Sequence, residues 1–228
     1  MEVVFLLNDV IMPALGNIRF FEKKTVYFLL ILILSCKQRN PVSTVHSDMK
    51  GSSGKLFEIM PPEESGIDFR NILKEGPTMN GLVYEYFYNG AGVAVGDFNN
   101  DGLEDIYFVS NLNPNKLYQN QGGLRFKDVT EVSATKGKYG FPTGVTTVDI
   151  NADGMLDIYI CKSGKFNDLD KRRNELYVNQ GNNADGIPVF KEMAQRYGLD
   201  LPHFSTQAAF FDYDLDGDLD MFLLNHGL

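Results

Sequence analysis

"DFNNDGLED", residues 97–105, places Asp97, Asn99, Asp101 and Asp105 at positions 1, 3, 5 and 9 of a short loop, with Gly102 at position 6. Oxygen-bearing side chains at alternate positions of a tight turn converge on one point, and a glycine at position 6 permits the sharp reversal. Calcium is a hard cation that takes six to eight oxygens, so the pattern reads as a calcium loop; magnesium, which keeps several waters and demands near-octahedral geometry, suits it less. The first half of the pattern is shared with the EF-hand, which also requires a bidentate glutamate at position 12 on an exiting helix. Position 12 here is Phe108, and the residues after Asp105 read "IYFV", a strand. The EF-hand is therefore excluded, and the loop is expected to close within a β-hairpin.

The stretch recurs. "GVAVGDFNNDGLEDIYFVSN" (92–111), "GVTTVDINADGMLDIYICKS" (144–163) and "QAAFFDYDLDGDLDMFLLNH" (207–226) align, with leading aspartates 52 and 63 residues apart. The expected ligands are the side chains of Asp97, Asn99, Asp101 and Asp105 with the carbonyl of Leu103; Asp149, Asn151, Asp153 and Asp157 with the carbonyl of Met155; and Asp212, Asp214, Asp216 and Asp220 with the carbonyl of Asp218. About one Ca2+ per repeat is expected, because carboxylates this close repel one another unless a cation offsets them. A second block follows each loop: "NKLYQNQG" (115–122) matches "NELYVNQG" (174–181), and "RFKDV" (125–129) matches "VFKEM" (189–193). The extra length of the second repeat falls at "FNDLDKR" (166–172) and "NNADG" (182–186), as expected of insertions in surface loops. The apolar runs are short, rich in β-branched and aromatic residues, and punctuated by Gly or Asn-Asp-Gly, so each repeat reads as four strands, the size of one propeller blade. "EVSATKG" reads as a short helix or a crossover between blades, and the tyrosine-rich "VYEYFYNG" (83–90) as a strand that packs in the core or, less readily, lines a ligand surface.

"GVAVGDFNNDGLEDIYF" with its "NKLYQNQGGLRFKDVT" continuation resembles the FG-GAP/VCBS repeat of integrin-type β-propellers. The continuation, and the lead-in "SGIDFRNILKEGPTMNGLVYEYFYNG" (65–90), resemble the ASPIC/UnbV-linked group of bacterial lipoproteins related to cartilage acidic protein. The resemblance covers roughly residues 60–228. It implies an all-β fold, a calcium-binding propeller of seven blades of which this chain holds two complete repeats and part of a third, and an extracellular setting. The chain is accordingly expected to be the N-terminal fragment of a longer protein.

Upstream, "KKTVYFLLILILSC" (23–36) pairs a basic start with an apolar run too short to span a bilayer, which needs about 20 residues. Its end resembles a lipobox, implying lipidation of Cys36. Residues 1–36 are thus read as a signal region with an unusually long lead (1–22), residues 37–60 as a flexible tether, and residues 61–228 as the repeats. The expected location is extracytoplasmic, lipid-anchored to the cell envelope.

The net charge of −9 argues against nucleic acid, which demands a basic surface, and many of the acids fall in the three loops. The two cysteines, Cys36 and Cys161, form no Cys-x-x-Cys motif, which excludes a zinc or thioredoxin-like site. Cys161 reads as a buried or half-buried free thiol, and "DLDKRRNE" (168–175) as a solvated loop. His46, His203 and His226 are scattered, with no catalytic constellation. The expected function is a non-enzymatic binding or adhesion module for a protein or glycan ligand, the alternative being the non-catalytic propeller part of a larger polysaccharide-active enzyme.

Overall fold

The computed structural model describes residues 2–6, as backbone, and 57–227. The chain separates into two compact units, 1–8 with 60–228 and 9–59, and the described residues lie almost wholly in the first. Cys36 and the apolar run before it lie outside the described residues, as does nearly all of the tether. Among the described residues, no helix is long and apolar enough to cross a membrane.

The first repeat forms a four-stranded antiparallel meander: β2 (Val93–Gly96), β3 (Asp105–Phe108), β4 (Lys116–Asn120) and β5 (Phe126–Asp128), in that spatial order. The second repeats it with β6 (Phe141–Val148), β7 (Asp157–Ser163), β8 (Glu175–Asn182) and β9 (Pro188–Glu192). The third contributes β10 (Ser205–Phe211) and β11 (Asp220–Asn225), and β11 pairs on its other side with β1 (Glu2–Leu6), antiparallel, Leu6 opposite Met221. Residues 2–6, in the region read as a signal, thus occupy the position that β4 and β8 hold in the other two sheets. The loop of interest joins the first two strands of every sheet, with Gly96 opposite Asp105 and Val148 opposite Asp157.

The sheets stack through apolar side chains. Phe98, Tyr107, Leu117, Val145, Ile158, Ile160 and Phe190 belong to one buried cluster, drawn from the first two repeats. Tyr159, Cys161, Leu176, Leu199, Ala208, Met221 and Leu223 belong to another, drawn from the second and third. Strand β7 therefore feeds alternate residues to the two clusters, and all seven are buried, which is why "DIYIC" is a continuous apolar run rather than an alternating one. The first strands of successive sheets come close. Thr146 donates through Oγ1 to the carbonyl of Ala208 at 2.7 Å, and a Cβ on Gly144 would lie 2.0 Å from Gln207 Oε1.

The two insertions sit where the alignment put them, in the β7–β8 connection, which holds a 3-10 turn over Leu169–Arg172, and in the β8–β9 hairpin. "EVSATKG" begins with a short helix, α2 (Thr130–Ser133), and Ala194–Tyr197 forms its counterpart α3; α1 (Pro62–Ser65) opens the lead-in. The lead-in packs on the first sheet: Phe69 stacks on Phe108 with centroids 4.7 Å apart, and Tyr118 donates to Asp68 at 2.7 Å.

One expectation is corrected. Residues 83–90 are not a strand but consecutive turns, in which Tyr84 N–H donates to Asn80 O and Phe87 N–H to Tyr84 O. Spacing of i and i+3 then buries Tyr84 and Phe87 and leaves Tyr88 exposed. The Asn80 side chain starts the turns by accepting from Leu82 and Val83 N–H, both at 3.0 Å.

Candidate metal centre

The three loops are congruent. Position 1 accepts two backbone N–H groups: Asp97 from Asp101 and Gly102 at 3.0 and 2.8 Å, Asp149 from Asp153 and Gly154 at 3.0 and 2.8 Å, Asp212 from Asp216 and Gly217 at 3.2 and 3.1 Å. Position 5 accepts from position 7: Leu103 donates to Asp101, Met155 to Asp153 and Asp218 to Asp216, at 2.9, 2.9 and 3.1 Å. Position 6 is a glycine with φ of 87°, 83° and 98°. Position 4 is also left-handed, with φ of 56° at Asn100, 56° at Ala152 and 64° at Leu215. A left-handed alanine or leucine costs about 1–2 kcal/mol, so its recurrence at one position marks a loop held by more than local preference.

Side-chain oxygens converge in the third loop. The carboxylates of Asp212, Asp214 and Asp216 offer ligand atoms within 4.8 Å of one another. Burial and the neighbouring Asp216 raise the Asp214 carboxyl above its ordinary value, and the contact with Asp216 raises Asp218. In the first loop Asn99 is 8% exposed; its Nδ2 donates to Asp101 Oδ2 and Gly186 O, while its carbonyl oxygen is buried without a hydrogen-bond partner. A buried carbonyl oxygen without a hydrogen-bond partner is an acceptor that a hard cation would satisfy. In the second loop Asn151 Nδ2 makes the same bond to Asp153 Oδ2 at 2.8 Å. These donor sets, all oxygen, fit calcium: Asp97, Asn99 and Asp101, and their counterparts, would hold it.

Position 9 plays a part the sequence did not disclose. Asp105 is fully buried, and its oxygens accept from Phe98 N–H at 3.2 Å and from Asn120 N–H at 2.7 Å. Asp157 accepts likewise from Ile150 and Asn179, at 2.9 and 2.7 Å, and Asp220 from Tyr213 at 2.8 Å. Each latches its loop, and in the first two repeats it also grips the third strand. Burial pushes Asp105 and Asp157 up to about 6, with the charges of positions 1 and 5 adding to the effect. A carboxylate so placed gains from a nearby positive charge.

Two further groups were missed. Lys162 and Glu175, on neighbouring strands, form a buried ion pair at 2.7 Å. Ser163 and His226, at equivalent positions of β7 and just past β11, meet at 2.8 Å, with Tyr84 donating to Ser163 at 2.9 Å. His226 is thus tied into a network of side chains from three parts of the chain. Cys161 is buried, as expected, and burial pushes its thiol well up.

An Asp-rich loop joins the first two strands of each of three antiparallel sheets, and residues 97–160 match the FG-GAP-like repeat family. The chain is similar to cartilage acidic protein 1: 30% identical over 140 residues to that of Xenopus tropicalis and 31% over 148 residues to that of Homo sapiens, in each case over 61% of this chain. The matched part is 20% of either relative, so the chain spans about a fifth of their length.

Proposed function

We propose that this chain is part of a calcium-stabilised, extracytoplasmic β-propeller that serves as a binding or adhesion module of a cell-envelope lipoprotein. The observation that carries the reading is the congruence of the three loops, with the unbonded Asn99 carbonyl inside the first. The FG-GAP-like repeat at 97–160 supports a binding module. Val93 and Val95, each 55% exposed, stand on β2 where Val145 and Thr147 stand on β6, and Val145 is buried against the preceding sheet. A further blade against that face would extend the array. The anchor rests on "LSC" ending at Cys36. Equilibrium calcium titration tests the site: about one ion per loop is expected, and Asp153→Ala should remove one. No binding at millimolar calcium would refute it. Labelling with a palmitate analogue tests the anchor: incorporation lost in Cys36→Ala is expected, and an unlabelled wild-type chain would refute it.

A further inference from the structure

A cavity of about 330 Å³ lies where the first strands of the second and third sheets begin, lined by Tyr84, Tyr86, Asn89, Thr206, Gln207 and His226 among others. We propose that it binds a neutral sugar residue of a glycan. This deepens the reading of the chain as a binding module and rests on it.

Three observations point to that ligand. First, in a chain with 22% charged residues, no Asp, Glu, Lys or Arg lines the cavity, so nothing there favours an ion. Second, Tyr86 is half-buried and its ring sits 4.2 Å from that of His226, tilted by 46°. The imidazole is itself fixed: Tyr84 O–H donates to Ser163 Oγ, Ser163 O–H to His226 Nε2, and Nδ1–H to Gly227 O. Tyr86 is therefore a pre-positioned aromatic surface with an apolar face and a polar tip, suited to the C–H face of a pyranose. Third, polar groups around it have unused capacity. The Asn89 side chain is exposed and makes no hydrogen bond among the described residues. Gln207 spends Nε2 on Val145 O and Thr146 Oγ1, leaving its carbonyl oxygen, and Thr206 spends its proton on Leu224 O, leaving an acceptor. An amide offering donors and acceptors beside an aromatic face matches a ring bearing hydroxyls. A volume at the lower end of ligand pockets, about 300–1,000 Å³, suits one or two sugar units.

The test is saturation-transfer NMR on the calcium-supplied protein with maltotriose, cellotriose, mannotriose and N-acetylchitotriose, beside an oligogalacturonate and a Tyr-rich peptide. Transfer to at least one neutral trisaccharide is expected, with at least tenfold weaker binding in Tyr86→Ala and in Asn89→Ala. Asn89 is exposed, so that variant should keep the wild-type melting temperature even if the tyrosine variant does not. Transfer to none of the four, preference for the acidic sugar or the peptide, or unchanged binding in Asn89→Ala would overturn the proposal. Melting in EGTA, read on the same sample, separates the two ideas. A calcium response without sugar binding removes only the cavity, and sugar binding without a calcium response removes only the metal.

Discussion

Breaking the buried ion pair between β7 and β8 should be far more damaging than breaking any other among the described residues. The Lys162 and Glu175 side chains are 1% and 3% exposed. The ammonium also reaches the carbonyls of Lys138 and Tyr139 at 3.3 and 3.4 Å, and the carboxylate accepts from Tyr177 O–H at 2.7 Å and Lys138 N–H at 3.2 Å. Every partner of the pair is thus in place, and removing one charge strands the other in a dry site, at a cost of about 3–5 kcal/mol. Lys162→Met and Glu175→Gln should each lose that much. The double variant buries no charge and should recover at least half of the larger single loss. Urea unfolding at fixed calcium reads this directly: with a slope of about 2 kcal/mol per molar, each single variant moves the midpoint down by about 1.5–2.5 M. Lys116–Asp128 serves as the control, since its side chains are 37% and 36% exposed and such a pair contributes about 1 kcal/mol or less. Single losses below about 1 kcal/mol, or strict additivity in the double variant, would show that Lys162 and Glu175 are hydrated and would refute the reasoning.

Three other outcomes follow from local geometry. Gly144→Ala must push a Cβ against Gln207 and, at 2.2 Å, the Thr206 carbonyl; a loss of about 1–3 kcal/mol in urea unfolding is expected, and no loss would mean the two strands are not in contact. Burial raises the Asp128 carboxyl, but Lys116 and Thr130 outweigh it and leave the group below its ordinary value. A depressed acid contributes stability above its unfolded pKa of about 3.9 that is lost as pH falls through the lower folded value. Asp128→Asn should therefore flatten the stability profile below about pH 4, and an unchanged acid limb would contradict the contact. Cys161, buried with its thiol pushed up, should resist iodoacetamide in the native protein and react on unfolding; rapid native alkylation would place it at the surface.

The loops and strands were legible because their determinants are local. Asp at position 1, Gly at position 6 and a β-branched or aromatic run after position 9 suffice for a hairpin, and the internal repeat located both insertions. What escaped depends on residues distant in sequence. Nothing in "LED" or "MLD" says that position 9 will accept from Asn120 or Asn179, because that follows from the pairing of the second and third strands. Ala152 and Leu215 give no sign of a left-handed backbone, which Asn100 alone would suggest. Lys162 and Glu175 look like ordinary charges until Ile160 is set opposite Glu175 in the register. "VYEYFYNG" misled because tyrosines at every second position (84, 86 and 88) fit a strand and a run of turns equally over so short a stretch, and Asn80, the residue that decides, lies just outside it.

The proposed role of calcium in holding the hairpins is tested most directly by the melting temperature of the chain in excess EGTA and in millimolar calcium. An ion that binds only the folded loops adds about 2.7 kcal/mol per site at a hundredfold its Kd. A domain of this size moves about 2–4 °C per kcal/mol, so one occupied loop raises the midpoint by about 5–10 °C. A rise of at least that size in calcium, reversed by the chelator and reduced in Asp153→Ala, is the expected result. Identical midpoints in the two buffers would contradict calcium as the element that holds these loops.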